Sequence, residues 1–498
     1  MTLAAAFLLP GVAAIVLWLW RPPAPVSRRA TIAVAALLVL LALRLLVLAG
    51  QGEIAVHGFG SWRPPYGVVF AVDRLSALFI ALHAVLLLLS VVILRASAHG
   101  ELALRRAHPL LMLATMGLVG AFATGDLFNL FVMFELVLVC SYVLLQVPGS
   151  GRSVAAALPV VVINLVASLL FLAGLGLLYG ICGSLNLADL IAQFPSAPAS
   201  LRRAALAMLV VAFGTKAALV PLCFWMPASY PTLCGPVAAL FAGIMTKLGV
   251  YALLRILPLL RADALVLEIL VWAGALSALL GVLAALSQYE MRRLLAFHSV
   301  SQVGYMVLGL GLASTAGIAG AIFFALHHSL VKSTLYFVAD ELERRNSSRD
   351  LRAMHPNALG SSLLAPCFGV AAFALAGLPP FSGFFGKLAV FRAGIEDERW
   401  VGLALLLLAS VFTLASMLKI WHFAFHTRAG GASTTPRPGL AEPRGLLAAA
   451  GLVLAMSFAA GPVYRYAEAA AADLVDPAPY SEAVRAVAGH PLQEEGRP

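Results

Sequence analysis

Apolar runs of about eighteen residues or more recur from one end of the chain to the other, and each is long enough to cross a hydrocarbon core of about 30 Å. Fourteen are predicted, near 2–20, 30–49, 75–94, 109–124, 128–146, 156–180, 205–227, 236–257, 265–286, 294–313, 316–339, 361–391, 401–425 and 445–462. Short polar connections separate them. The expectation is an all-α, polytopic membrane protein of about 14 transmembrane helices. Two runs contain helix breakers. In FGTKAALVPLCFWMP, Pro221 lacks an N–H and crowds the carbonyl of Ala217. In GLPPFSGFFGK, Pro379 and Pro380 are followed by Gly383 and Gly386. Broken helices at membrane depth are tolerated only where the freed backbone faces protein or a water-filled cavity, so each break predicts a hydrated pocket.

Composition agrees with the runs. The chain has 498 residues, 62% hydrophobic and 11% charged, with mean hydropathy +0.96. A soluble domain would carry about a quarter charged residues. The formal charge of +10 does not point to nucleic acid, because the arginines lie in the connections, where they set topology. The first run has no basic segment ahead of it, and Arg21, Arg28 and Arg29 follow it, which predicts a retained helix with its N-terminus outside. The connections on that loop's side hold the larger share of arginine, including Arg105, Arg106, Arg292, Arg293, Arg344, Arg345 and Arg349. Both termini are therefore expected outside the cytoplasm.

The five cysteines, Cys140, Cys182, Cys223, Cys234 and Cys367, form no C-x-x-C pair and imply no iron–sulfur, zinc or disulfide framework. SGFFGKL is not a phosphate loop, since Phe381 stands where the first glycine is needed and Leu388 where Ser or Thr is needed. No metal and no cofactor are expected.

The lysines carry the chemistry. All five, Lys216, Lys247, Lys332, Lys387 and Lys419, fall inside apolar runs, whereas among the arginines only Arg44 lies well inside one. Arginine stays protonated, but a desolvated lysine can take up and release a proton. An ionisable group at membrane depth is costly and marks a functional site by default. Lys419, six residues before the end of its run, is equally compatible with snorkelling to the interface. Lys216 lies just before one break and Lys387 just after the other. Lys216 to Lys247 spans 31 residues and Lys387 to Lys419 spans 32, and such corresponding interrupted helices point to inverted repeats around an ion pathway.

His328 and Lys332 share a helix face with His327 beside them, and the preceding run places His298, Ser301, Gln302 and Tyr305 on one stripe. Histidine suits proton transfer near neutral pH. The alternative is interhelical glue, worth about 0.6 kcal/mol per contact. One carboxylate is out of place as well: in GDLFNLFVMFELVLV, Glu135 sits deep in an apolar helix that starts at Asp126.

The stretches GDLFNLFVMFE, FGTKAALVPLCFWMP, FAGIMTKLGVYALLR, HSVSQVGYMVLGLGL, HHSLVK and LAGLPPFSGFFGK resemble the antiporter-like subunits of respiratory complex I, membrane-bound hydrogenases and the Mrp-type multisubunit Na⁺/H⁺ antiporters. Within that superfamily, LLYGICGSLNLADL and the tail DPAPYSEAV are most similar to the D-type subunits of Mrp. The resemblance implies two inverted five-helix repeats, the fourth to eighth and ninth to thirteenth helices, with the seventh and twelfth broken. It implies an ion pair of Glu135 with Lys216, a central relay of Lys247, His328 and Lys332, and a terminal ionisable residue at Lys387, where some relatives carry glutamate. His327, His298 and Lys419 are secondary candidates. The implied division is 1–108 for the first three helices, 109–425 for the translocating core, with repeats at 109–257 and 265–425, and 426–498 for the final helix and a polar tail. The implied function is proton movement coupled to Na⁺ efflux, with other antiporter subunits and the lipid bilayer as partners, in a bacterial cytoplasmic membrane. The alternative is a proton-pumping subunit of an NADH–quinone oxidoreductase or hydrogenase complex.

Overall fold

The computed structural model describes residues 1–59, 66–94, 101–147, 151–354, 363–426 and 444–488. Nearly all of them are helical. The chain opens with α1 (Thr2–Trp20), α2 (Ala24–Gly50), α3 (Arg74–Ile93) and α4 (Glu101–Ala123). It continues through α5 (Leu127–Gln146), α6 (Gly151–Cys182), the short α7 (Leu187–Gln193), α8 (Ala199–Ala217) and α9 (Trp225–Ser229). Next come α10 (Gly235–Leu259), α11 (Ala264–Leu286), α12 (Met291–Gly311) and α13 (Thr315–Asn346). The remainder is α14 (Leu364–Ala376), α15 (Ser382–Glu396), α16 (Trp400–Trp421), α17 (Arg444–Phe458), α18 (Ala460–Val475) and α19 (Ala478–Ala488).

Several helices start where a short polar side chain can take an orphan amide of the first turn. Asp73 accepts from Ser76 at 3.0 Å, Asp126 from Asn129 at 2.8 Å, Asp263 from Val266 at 3.0 Å and Ser314 from Gly317 at 3.1 Å. Eleven helices among the described residues are long and apolar enough to cross a membrane. They are not equally buried. The apolar window of α10 is 100% buried and those of α12 and α13 94%, against 28% for α2. The three polar-bearing helices are thus the centre of the bundle, and lipid-length helices surround them. Glycine permits a close approach at its edge: a Cβ on Gly304 would collide with the carbonyl oxygen of Gly274, so α11 and α12 meet backbone to backbone.

Both helix breaks lie where the prolines predict them, and two further features depart from the sequence reading. The run near 205–227 is not one helix, for α8 ends at Ala217 and only the short α9 follows. Similarly, the run near 361–391 is divided into α14 and α15. Each break holds a cis X–Pro bond, Val220–Pro221 and Pro379–Pro380. A two-stranded antiparallel ribbon, β1 (Ala55–Gly58) and β2 (Val69–Val72), interrupts the all-α pattern between α2 and α3. Its Phe70 makes edge-to-face contacts with Phe7 and Phe59 at 4.9 and 4.7 Å, and this local aromatic packing, worth about 1 kcal/mol per pair, favours the ribbon. Finally, the last apolar run bends by 75° between α17 and α18, and the tail beyond it folds back as α19. Tyr480 is buried there, Asp473 accepts two hydrogen bonds from Arg74 at 2.7 and 2.8 Å, and Tyr466 donates to Leu46 at 2.9 Å, so polar side chains dock the tail.

Candidate functional site

At the first break α8 closes with Ala218 in the left-handed region at φ 63°, and the amides of Ala218 and Leu219 bond back to Thr215 and Gly214 at 3.0 and 2.9 Å. The carbonyl of Thr215 also accepts the Trp225 indole N–H at 2.9 Å. Beyond the turn, the amide of Val220 donates to Ser277 Oγ of α11 at 3.0 Å. The break thus finds its partners within the protein, as a broken helix in lipid must.

Lys216 stands in the last turn of α8, where the negative end of the helix dipole favours a cation. Its Nζ lies 3.9 Å from Glu135 Oε1. Ser168 of α6 fills the gap: it accepts from Lys216 Nζ at 3.1 Å and donates to the Glu135 carboxylate. The ammonium also lies 5.2 Å from the Phe134 ring. Lys216 is 3% exposed and Glu135 34% exposed, so the lysine bears the larger desolvation cost and depends on the carboxylate.

The second break is built differently. α14 ends at Gly377, φ 85°, and the amides of Gly377 and Leu378 return to Phe373 at 3.0 and 3.1 Å. The carbonyl of Ala376 is taken by Lys387 Nζ at 2.8 Å, from the far side of the break. Lys387 also lies 5.1 Å from the Tyr305 ring. The amide of Ser382 donates to Ser457 Oγ of α17 at 2.9 Å, and Ser382 Oγ lies 2.8 Å from His327 Nδ1. Gly383 is obligatory, since a Cβ there would collide with the Ala374 carbonyl oxygen and stand 2.9 Å from His327 Nε2.

Between the breaks lies the central group. Lys247 donates to the Ala242 carbonyl at 3.1 Å and to Thr246 Oγ1 at 3.3 Å, and Lys332 donates to the Leu295 carbonyl of α12 at 2.8 Å. His328 is fully buried, and neither ring nitrogen has a partner among the described residues. It sits within electrostatic reach of Lys247, Lys332, His327 and His298. His298 is in turn within reach of Lys332 and Lys387. These six groups form one buried cluster, whereas the charge acting on Lys216 is that of Glu135.

The stripe on α12 does not stay together. His298, Gln302 and Tyr305 face α16, where they meet Ser416 at 2.8 Å, Thr413 at 3.5 Å and Ser410 at 2.8 Å, but Ser301 turns away to the Ala278 carbonyl of α11 at 2.7 Å. Lys419 stands apart from the cluster. It donates to the carbonyls of Leu286 and Gln288, both at 2.8 Å, and lies 3.7 Å from the Tyr289 ring, so it caps the C-terminal end of α11.

Sequence reading missed Ser168, Ser277 and Ser457, whose only signal is a small polar residue in an apolar helix. It also missed two buried ionic clusters at opposite ends of α10. Near its C-terminal end Arg255 holds Asp73 bidentately at 2.5 and 2.7 Å; burial alone pushes that carboxyl up, but the guanidinium outweighs it and keeps Asp73 below the usual carboxylate range. Beside its N-terminal end Arg292 donates to the Leu233 carbonyl at 2.7 Å and pairs with Asp340 at 3.0 Å and Glu343 at 2.7 Å.

A multi-pass helical bundle with two broken spans and a buried row of lysines and histidines defines a class of ion-translocating membrane proteins. Residues 124–413 match the family described as NADH:quinone oxidoreductase/Mrp antiporter, TM, and the chain belongs to that family. It is 35% identical over 443 residues to the D-type subunit of the Na⁺/H⁺ antiporter of Alkalihalophilus pseudofirmus, covering 87% of this chain and 89% of that protein. A chain in the Mrp complex structure from Dietzia sp. DQ12-45-1b superposes with TM-score 0.88 at 31% identity, covering 97% of this chain and 99% of that one. A chain of respiratory complex I from Thermus thermophilus has TM-score 0.76 at 29% identity, covering 93% and 99% respectively.

Proposed function

We propose that this chain is the D-type subunit of a multisubunit monovalent cation (Na⁺)/H⁺ antiporter, a transporter component and not an enzyme. It moves protons along the buried lysine and histidine row, and the assembled complex couples that movement to Na⁺ efflux. Its place is the bacterial cytoplasmic membrane with both termini outside the cytoplasm, a reading supported by the arginine-rich connections on the opposite side. Residues 109–425 are the translocating core, the two broken spans belonging to inverted repeats at 109–257 and 265–425. The observation that carries this reading is the pairing of each break with a buried lysine, joined by a central cluster that contains His328 without a protein partner among the described residues.

Glu135, Ser168 and Lys216 act as the loading element. A lysine buried with one carboxylate binds or releases its proton as that carboxylate approaches, withdraws or is neutralised. Lys247, His328 and Lys332 pass the proton between the halves, and Lys387 is the ionisable residue of the second break. His327 and His298 orient neighbouring groups through Ser382 and Ser416.

The test is co-expression with the partner subunits in cells lacking Na⁺/H⁺ antiporters, followed by everted vesicles carrying a pH-sensitive dye. Addition of Na⁺ is expected to dissipate a preformed proton gradient. Purification with flavin or iron–sulfur subunits and proton pumping driven only by NADH or another reductant would overturn the assignment.

A further inference from the structure

Each broken helix leaves an amide with no partner in its own span, and in both cases the acceptor is a serine hydroxyl two spans further along the chain. Val220 N–H donates to Ser277 Oγ at 3.0 Å and Ser382 N–H to Ser457 Oγ at 2.9 Å. Both serines are buried. Ser457 sends its own proton to the Val453 carbonyl at 2.9 Å, which leaves a lone pair facing Ser382. It lies in α17, outside the 124–413 segment that matches the family.

We infer that Ser277 and Ser457 are a matched pair of positioning residues, each clasping one helix break from another span and so holding the ionisable groups beside it; this rests on the proton-translocating reading of the breaks. The second clasp has the more direct consequence. Ser382 is the first residue of α15, whose N-cap Phe381 makes no side-chain cap hydrogen bond, and Ser457 supplies an acceptor for one of the orphan amides of that first turn. Holding the Ser382 backbone also holds its hydroxyl 2.8 Å from His327 Nδ1, with Nε2 turned toward Gly383. At the first break, Ser277 fixes the exit of the chain after Ala218 and hence the last turn of α8, where Lys216 meets Ser168. A buried donor left without its acceptor costs more than the bond itself contributes, so each break would reorganise once its serine is removed.

The experiment compares Ser277→Ala, Ser457→Ala and Ser457→Thr in the assembled complex, by hydrogen–deuterium exchange across both breaks and by Na⁺-driven proton exchange in proteoliposomes. Ser457→Ala is expected to speed exchange in peptides containing Ser382 and leave those containing Val220 unchanged, with the reverse for Ser277→Ala. Each alanine variant should lose about five- to tenfold in maximal transport rate, the factor a lost hydrogen bond gives, with unaltered apparent affinity for Na⁺. Ser457→Thr should recover most of the rate. Unchanged amide exchange at the matching break, or normal transport despite accelerated exchange, overturns the inference. So does failure of Ser457→Ala to assemble combined with an assembled but inactive Ser457→Thr. A wild-type complex that transports no Na⁺ would instead refute the proposed function, while the amide readout would still test the two clasps.

Discussion

The two helix breaks satisfy a freed amide alike, each with a serine hydroxyl, but engage their carbonyls with different chemistry. At the first, the carbonyl of Thr215 takes a neutral indole N–H beside the Ala218 amide, and Lys216 pairs with Glu135 through Ser168. At the second, the stray carbonyl of Ala376 takes the lysine itself. Lys387 therefore has a carbonyl and an aromatic face where Lys216 has a carboxylate. A carboxylate can change charge and a carbonyl cannot. In the proposed function the first break is accordingly the one whose lysine is switched by a carboxylate.

The sharpest way to break this comparison is at Lys216. Lys216→Ala is expected to abolish Na⁺/H⁺ exchange in vesicles, by about a hundredfold or more, with assembly intact, and Lys216→Arg should fail equally because arginine keeps its proton. Normal exchange by the arginine variant would remove the switching role. Next in size is the cluster between the breaks. Replacing His328 and Lys332 together by Gln keeps hydrogen-bonding capacity but removes titration, and should reduce transport about as severely while changing complex stability by only about 1 kcal/mol. A transport-active double variant would mean that the two breaks are not connected through these residues.

A smaller effect is expected at Glu135, the group that distinguishes the first break. Glu135→Gln should lower transport about tenfold and shift its pH profile, whereas Glu135→Asp should retain part of the rate. An unmoved pH profile in the glutamine variant would make the pair static. The smallest change concerns the neutral donor. Trp225→Phe deletes the indole N–H at the Thr215 carbonyl and should cost about 1 kcal/mol of thermal stability with less than a twofold change in rate. A large transport loss there would show that the first break, like the second, needs a side-chain donor on its carbonyl.

Much of this arrangement could be read along the chain. Pro221 and the Pro379–Pro380 pair marked both breaks, Glu135 stood out as a carboxylate in an apolar helix, and the confinement of lysine to apolar runs singled out the residues now found buried around the breaks. Lys419 illustrates the limit. Its spacing from Lys387 matched that of Lys247 from Lys216, yet it closes the end of α11 while Lys247 is wholly buried in the central cluster. The stripe on α12 is a second case, since Ser301 lies on the same helical face by spacing but turns to a different neighbour from His298, Gln302 and Tyr305. The ribbon between α2 and α3 and the docked tail had no clear signal, because both depend on distant partners such as Phe7 and Arg74.

By itself the sequence determined what length and composition control: that the chain lives in a membrane, that most of its spans are continuous helices, and that two must break where proline removes an amide. Hydropathy is a local property, and the bilayer reads it segment by segment. Tertiary structure alone decided which polar groups meet. Whether Ser168 lies between Lys216 and Glu135, or Ser457 beneath Ser382, depends on the rotation of each helix, about 100° per residue, and on its height against a neighbour far away in the chain. One apolar residue more or less within such a helix would leave its apolar run unchanged and still turn the hydroxyl beyond it by about 100°.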